Sequence, residues 1–67
     1  MKIDKIRLGI AMAEKGYNFT TLASASGVSR TTLSYINNGK QCRVDVLIKM
    51  AKALGVEATE LLVSGEN

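Results

Sequence analysis

The 67-residue sequence has no histidine, no proline, no tryptophan and only one cysteine. With one cysteine, no disulfide can close within the chain, which fits a reducing, intracellular setting. The missing histidine rules out His-containing zinc sites and His-based acid–base catalysis. No pair of carboxylates stands at a spacing suited to general acid and base, so no enzyme, metal, cofactor or small-molecule ligand is expected. Aromatics are scarce, two tyrosines and one phenylalanine against a hydrophobic fraction of 46%, so any core must be mostly aliphatic. No apolar run approaches the length of a membrane span, and the first stretch, MKIDKIRLGIAMAEKG, has acids on both sides of its apolar residues, unlike a signal peptide. These absences lead us to expect a soluble, cytoplasmic protein with no membrane partner.

Acid is also missing locally. All six acidic residues (Asp4, Glu14, Asp45, Glu57, Glu60, Glu66) lie outside residues 15–44. That window holds Lys15, Arg30, Lys40 and Arg43, so it contains all of the excess positive charge of a chain whose net charge is +3. A polyanion would be drawn to this part of the surface first. The bland alternative is an ordinary solvated basic surface. The window's coincidence with the motif described below favours the polyanion.

Length permits one small domain over residues 1–67, with a frayed polar tail at about 64–67. Spacing of apolar residues predicts five helices and no strands. Helix 1 is expected from about Ile3 to Lys15, with Ile3, Ile6, Ile10 and Ala13 at three-to-four spacing, Leu8 and Met12 on an adjoining ridge, and Gly16 as its end. Asn18 can cap helix 2, about Phe19 to Ala25, which turns Leu22 and Ala23 inward. Ser29 caps helix 3, about Arg30 to Asn37, stopped by Asn38-Gly39. Helix 4 covers about Val44 to Leu54, burying Leu47, Met50, Ala51 and Leu54, with Gly55 as its stop. A short helix 5, about Ala58 to Val63, follows Glu57 as a cap suited to the helix dipole.

Residues 18–40, NFTTLASASGVSRTTLSYINNGK, carry the most information. Ala23 leaves room for two helices to cross closely, and Gly27, four residues on, can take the positive φ of a sharp interhelical turn. Leu33 and Ile36 supply the inward ridge of the second helix. This arrangement is a helix-turn-helix, whose second helix is shaped for the DNA major groove.

At about 100° per residue, with Arg30 at zero, Ser34 falls near 40°, Asn38 near 80°, Thr31 near 100° and Tyr35 near 140°. Thr32, Leu33 and Ile36 occupy the opposite arc. The outer arc is polar and free of acid, and its chemistry suits base edges. Arg30 can donate two parallel hydrogen bonds to guanine, Thr31 and Ser34 can bond bases or phosphates, and a threonine methyl can pack on a thymine methyl. Tyr35 offers a ring edge and a hydroxyl for the groove, or else packs half-buried on a neighbouring loop. Ser29, Asn38, Lys40 and Arg43 lie where phosphates would pass, the two bases setting affinity and salt dependence rather than sequence. Cys42 is expected to be an exposed or half-exposed thiol without a role, with a redox switch or an intermolecular disulfide as alternatives.

The run LASASGVSRTTLSYINNGK, followed by LIKMAKALGV and TELL, resembles the phage repressor and Cro-like (XRE-type) helix-turn-helix family across about residues 4–63. The resemblance implies an all-α, compact five-helix, lambda-repressor-like DNA-binding domain with its helix-turn-helix at helices 2–3. It implies a homodimer on operator DNA, base contacts from Arg30, Thr31, Ser34 and Tyr35, and phosphate contacts from the start of helix 2 at Asn18, from Ser29, Asn38 and Lys40, and from Arg43. Three positions depart from the family. Phe19 replaces a glutamine that would bond a phosphate. Met12 and Asn37 stand where many members pair an arginine with a glutamate, and Arg43 stands where a small polar cap is usual. Dimerisation without a further domain would use helix 5 and the end of helix 4, through Val56, Leu61, Leu62 or Val63.

The leading reading is a DNA-binding transcriptional regulator, a repressor of the phage or mobile-element kind on a palindromic operator. Two alternatives stand beside it. One is a protein-interaction adaptor or antitoxin-like module on the same fold, against which the acid-free arc argues. The other is an architectural or recombination factor that binds DNA without regulating by occlusion.

Overall fold

Asp4, Asn18 and Ser29 each stand one residue before a helix, and each places a side-chain oxygen on free amides of the first turn. Such caps satisfy donors that a helix N-terminus otherwise leaves unpaired. In the computed structural model, which describes residues 1–63, they open α1 (Lys5–Lys15), α2 (Phe19–Ser26) and α3 (Arg30–Asn37). A fourth helix, α4 (Val44–Leu54), begins at Arg43 with no side-chain cap. The tail expected to fray, residues 64–67, lies outside the described residues.

Asn18 makes the most complete start. Its Oδ1 accepts from the Thr21 N–H at 2.9 Å, while Thr21 Oγ1 accepts from the Asn18 N–H at 2.7 Å. This reciprocal pair fixes the entry angle of α2. At the other end, Gly27 adopts φ 77° and its N–H closes on the Ala23 carbonyl. A side chain would be strained in that left-handed conformation, so glycine permits the abrupt change of direction between α2 and α3.

The core is aliphatic, as the shortage of aromatics requires. Leu8, Leu22, Leu33, Met50 and Leu61 are its most completely buried large side chains. Each such burial contributes roughly 1.5–3 kcal/mol relative to exposure. α2 packs on α3 and on α4, while α1 and a terminal 3₁₀ turn close over α4. Among the described residues no buried side-chain polar atom is left without a partner.

Four expectations need correction. The fifth helix is a single 3₁₀ turn, Ala58–Leu61, so the described residues form four α-helices. Glu57 occupies its N-cap position, as expected. Glu60 reaches back to accept from the Glu57 N–H at 2.9 Å. Beyond the turn the chain runs extended, because the Asp4 N–H donates to the Leu61 carbonyl and the Val63 N–H to the Lys2 carbonyl. These bonds frame an antiparallel bridge between Ile3 and Leu62, which also explains why α1 starts at Lys5 rather than Ile3.

Second, the inward face of α1 is not the expected one. Leu8, Ala11 and Met12 are buried, whereas Ile6 is 74% and Ile10 55% exposed. Third, Leu61 is 1% exposed and belongs to the core, so it is not available as a dimer contact, while Val56, Leu62 and Val63 are half-buried. Fourth, Cys42 is buried, not exposed. Its N–H donates to the Met1 carbonyl at 2.8 Å, and the first residues of the chain lie over this loop. Burial pushes its thiol pKa up, which disfavours the reactive thiolate.

Candidate nucleic-acid interface

α3 is divided lengthwise. Leu33, 0% exposed, and Ile36 anchor it in the core, and Arg30, Thr31, Ser34 and Tyr35 are exposed on the other side. With two buried aliphatic anchors one turn apart, the helix cannot rotate without opening the core. The outer strip is thereby held in a fixed presentation. Tyr35 is 63% exposed and so does not pack half-buried against a neighbouring loop.

The start of α3 is stiffened by its cap. Ser29 Oγ accepts from the Thr32 N–H at 3.1 Å and donates to Thr32 Oγ1 at 2.8 Å. The Ser29 hydroxyl proton is thus used within the helix start, and its contribution is first to position Arg30. Asn18 is similarly committed through its carbonyl oxygen at the start of α2. The C-terminal end is closed by the Asn38 N–H on the Ser34 and Tyr35 carbonyls, and by the Lys40 N–H on the Tyr35 carbonyl at 3.3 Å. Asn38, Lys40 and Arg43 are all exposed along the segment that follows.

Charge is unevenly available along this edge. Among the described residues Arg30 and Lys40 make no ion pair. Arg43, by contrast, places Nε 3.3 Å from Asp45 Oδ1. Asp45 sits in the first turn of α4, where a carboxylate complements the helix dipole. Arg43 therefore takes the N-cap position without capping and is partly neutralised by its neighbour.

Two residues beyond the expected base contacts join the strip. Phe19, half-buried at the first position of α2, lines a shallow hollow of about 360 Å³ with Arg30, Thr31, Ser34 and Tyr35. Its place at the helix start was visible in the sequence, but its closeness to α3 depends on the crossing angle at Gly27. Gln41 is exposed and lines a second, more apolar hollow of about 350 Å³ with Thr31, Tyr35, Ile36, Arg43 and Val46. The signal for Gln41 was its place between Lys40 and Arg43 in the acid-free window. The departures at Met12 and Asn37 leave a buried methionine and a half-buried amide, with no charge at either position.

Among the described residues no group of three or more metal-ligating side chains comes together, and no helix is long and apolar enough to cross a membrane. No curated protein matches the chain. Solved structures with the same fold include PhpD with cadmium complexed with hydroethylphosphonate, at 22% identity and a TM-score of 0.81. A mutant of hydroxyethylphosphonate dioxygenase aligns at 22% identity with a TM-score of 0.83. Both alignments cover 100% of this chain but 15% of the other, so the likeness is to a small part of each and is one of fold alone. The family model for the Cro/C1-type helix-turn-helix DNA-binding domain matches residues 7–64, which include α2, α3, the turn at Gly27 and the whole exposed strip. The chain belongs to that DNA-binding family.

Proposed function

We propose that this chain is a sequence-specific transcriptional regulator, a repressor of the phage or mobile-element kind, acting in the cytoplasm by binding and not by catalysis. It binds a palindromic operator as a homodimer. Arg30, Thr31, Ser34 and Tyr35 contact bases, while Asn18, Asn38, Lys40 and Arg43 hold the backbone and Ser29, its hydroxyl given to Thr32, sets the start of α3 beside them. One observation carries the reading. The exposed side of α3 offers hydrogen-bond donors, a methyl group and a ring, without a single acid, while the buried side locks it in place. Bases are distinguished in the major groove by such donors and methyl contacts, and an acid-free strip avoids repulsion from phosphates.

Two copies bound to a two-fold operator would set their α3 helices in successive major grooves about 34 Å apart. Selection of bound duplexes from a random pool tests the reading. A two-fold symmetric consensus is the expected result, and recovery of no consensus at moderate salt overturns it.

A further inference from the structure

Among the described residues the outer face of α1 has no partner. Ile6, Gly9, Ile10 and Ala13 are all exposed. At about 100° per residue they fall within one arc of about 100°, opposite the buried Leu8 and Met12. Gly9 stands mid-helix, where glycine is a poor choice. Nothing among the described residues requires it there, since a Cβ at Gly9 would meet none of their atoms within 4 Å. An apolar stripe with a glycine on one edge, midway along its length, is suited to the close approach of another helix.

Charge on the same helix says which helix. Arg7 and Glu14 lie within about 20° of each other on one flank of the stripe, two turns apart and on either side of Ile10. Arg7 Nε also lies 3.8 Å from Asp4 Oδ2, a partly exposed pair of small worth that leaves the guanidinium able to meet a second carboxylate. An antiparallel copy related by a two-fold axis near Ile10 brings Arg7 of each chain beside Glu14 of the other. Two ion pairs then form on the same flank. Beside that flank is an open hollow of about 460 Å³ lined by Arg7, Ile10, Glu14, Val56 and Glu60 among others, which can receive apolar and basic groups of the second copy. α1 packs on α4 and the 3₁₀ turn by its other face.

We infer that the outer face of α1 is the homodimer interface, with Ile6, Gly9, Ile10 and Ala13 packing against their counterparts in antiparallel and Arg7 pairing with Glu14 across the axis. The inference rests on the dimer reading above and replaces Leu61, which is buried, with a surface that is exposed. One pair of three-turn helices is small beside the ~1,600 Å² of a standard interface. The dimer is accordingly a weak one in free solution, strengthened when both copies lie on one operator.

The test is sedimentation of the full chain up to about 1 mM, a concentration that populates weak dimers, together with disulfide trapping on and off the selected operator. Ile10→Cys should cross-link under mild oxidation, while Ile48→Cys, an exposed apolar position on α4, should not. Ile10→Glu should weaken dimerisation at least about tenfold with the circular dichroism unchanged and half-site binding retained. Arg7→Glu should weaken it too, and adding Glu14→Arg should restore it. Gly9→Ala should raise the melting temperature yet loosen the dimer. A chain that dimerises but is indifferent to Ile10→Glu overturns the α1 interface and leaves the two-fold reading standing. A chain that is monomeric at every concentration and on the operator overturns both, and would leave the stripe to another segment or protein.

Discussion

Arg43 and Asp45 hold each other at 3.3 Å beside the exposed strip of α3, so the base best placed after the recognition helix is restrained by an acid two residues away. Both side chains are largely exposed, and an ion pair of this kind contributes little to stability. Its effect is on what Arg43 can offer to a phosphate. Asp45→Asn should therefore raise affinity for operator and random duplex alike. The slope of log affinity against log salt should steepen by up to about one, as expected for one further phosphate contact. Arg43→Ala should shift the slope the other way. Fluorescence anisotropy at four or five salt concentrations reads both, and unchanged slopes would remove Arg43 from the backbone contacts.

Ser29 should matter to stability before it matters to binding. Its hydroxyl caps α3 and is donated to Thr32. Ser29→Ala should cost about 1 kcal/mol in urea unfolding, and Ser29→Asp, which keeps a capping oxygen, should recover most of it. An acid at that position faces the same polyanion, however, so Ser29→Asp should bind DNA more weakly than Ser29→Ala. Equal stability of wild type and Ser29→Ala would contradict the capping role.

At Gly27 the constraint is conformational, because a Cβ there would meet no atom within 4 Å yet φ is +77°. Gly27→Ala should destabilise by about 1–2 kcal/mol, the cost of placing an L-residue in the left-handed region. Gly27→Asn should cost less. A thermal melt in which the alanine variant matches wild type would show that the turn is not held in this form.

The Cys42 thiol should be slow to react. Burial covers the sulfur and pushes its pKa up, so little thiolate is present at neutral pH. Iodoacetamide should label it at a rate that rises by orders of magnitude in denaturant. Rapid labelling of the folded chain would mean that the first residues do not lie over this loop.

The parts of the fold legible from the residues were those set by local chemistry. α3 and α4 begin and end where the serine cap, Asn38-Gly39 and Gly55 place them, and α2 extends by one residue to Ser26. The strip on α3 was legible for the same reason, since Leu33 and Ile36 leave one orientation for a short helix with a single apolar ridge. α1 was not, because it has two. The stripe Ile6-Ile10-Ala13 has as good a helical period as Leu8-Ala11-Met12, and periodicity cannot say which of two apolar faces meets the core. The 3₁₀ turn and the burial of Cys42 escaped for a different reason. Both depend on the segment Met1–Asp4 pairing with residues about 40 to 60 positions away, a contact that no local pattern announces. The closeness of Phe19 to Arg30 likewise follows from a crossing angle, not from spacing.

The measurement that bears most directly on the account is the affinity of Arg30→Ala for the selected operator and for a random duplex, at matched salt. Arg30 stands at the exposed start of α3 and pairs with no acid among the described residues. Loss of a bidentate guanine contact should cost about 1–3 kcal/mol on the operator and relax one base position, with much less change on random DNA. An equal loss on both duplexes, or no loss on either, would contradict the assignment of the α3 strip to base recognition.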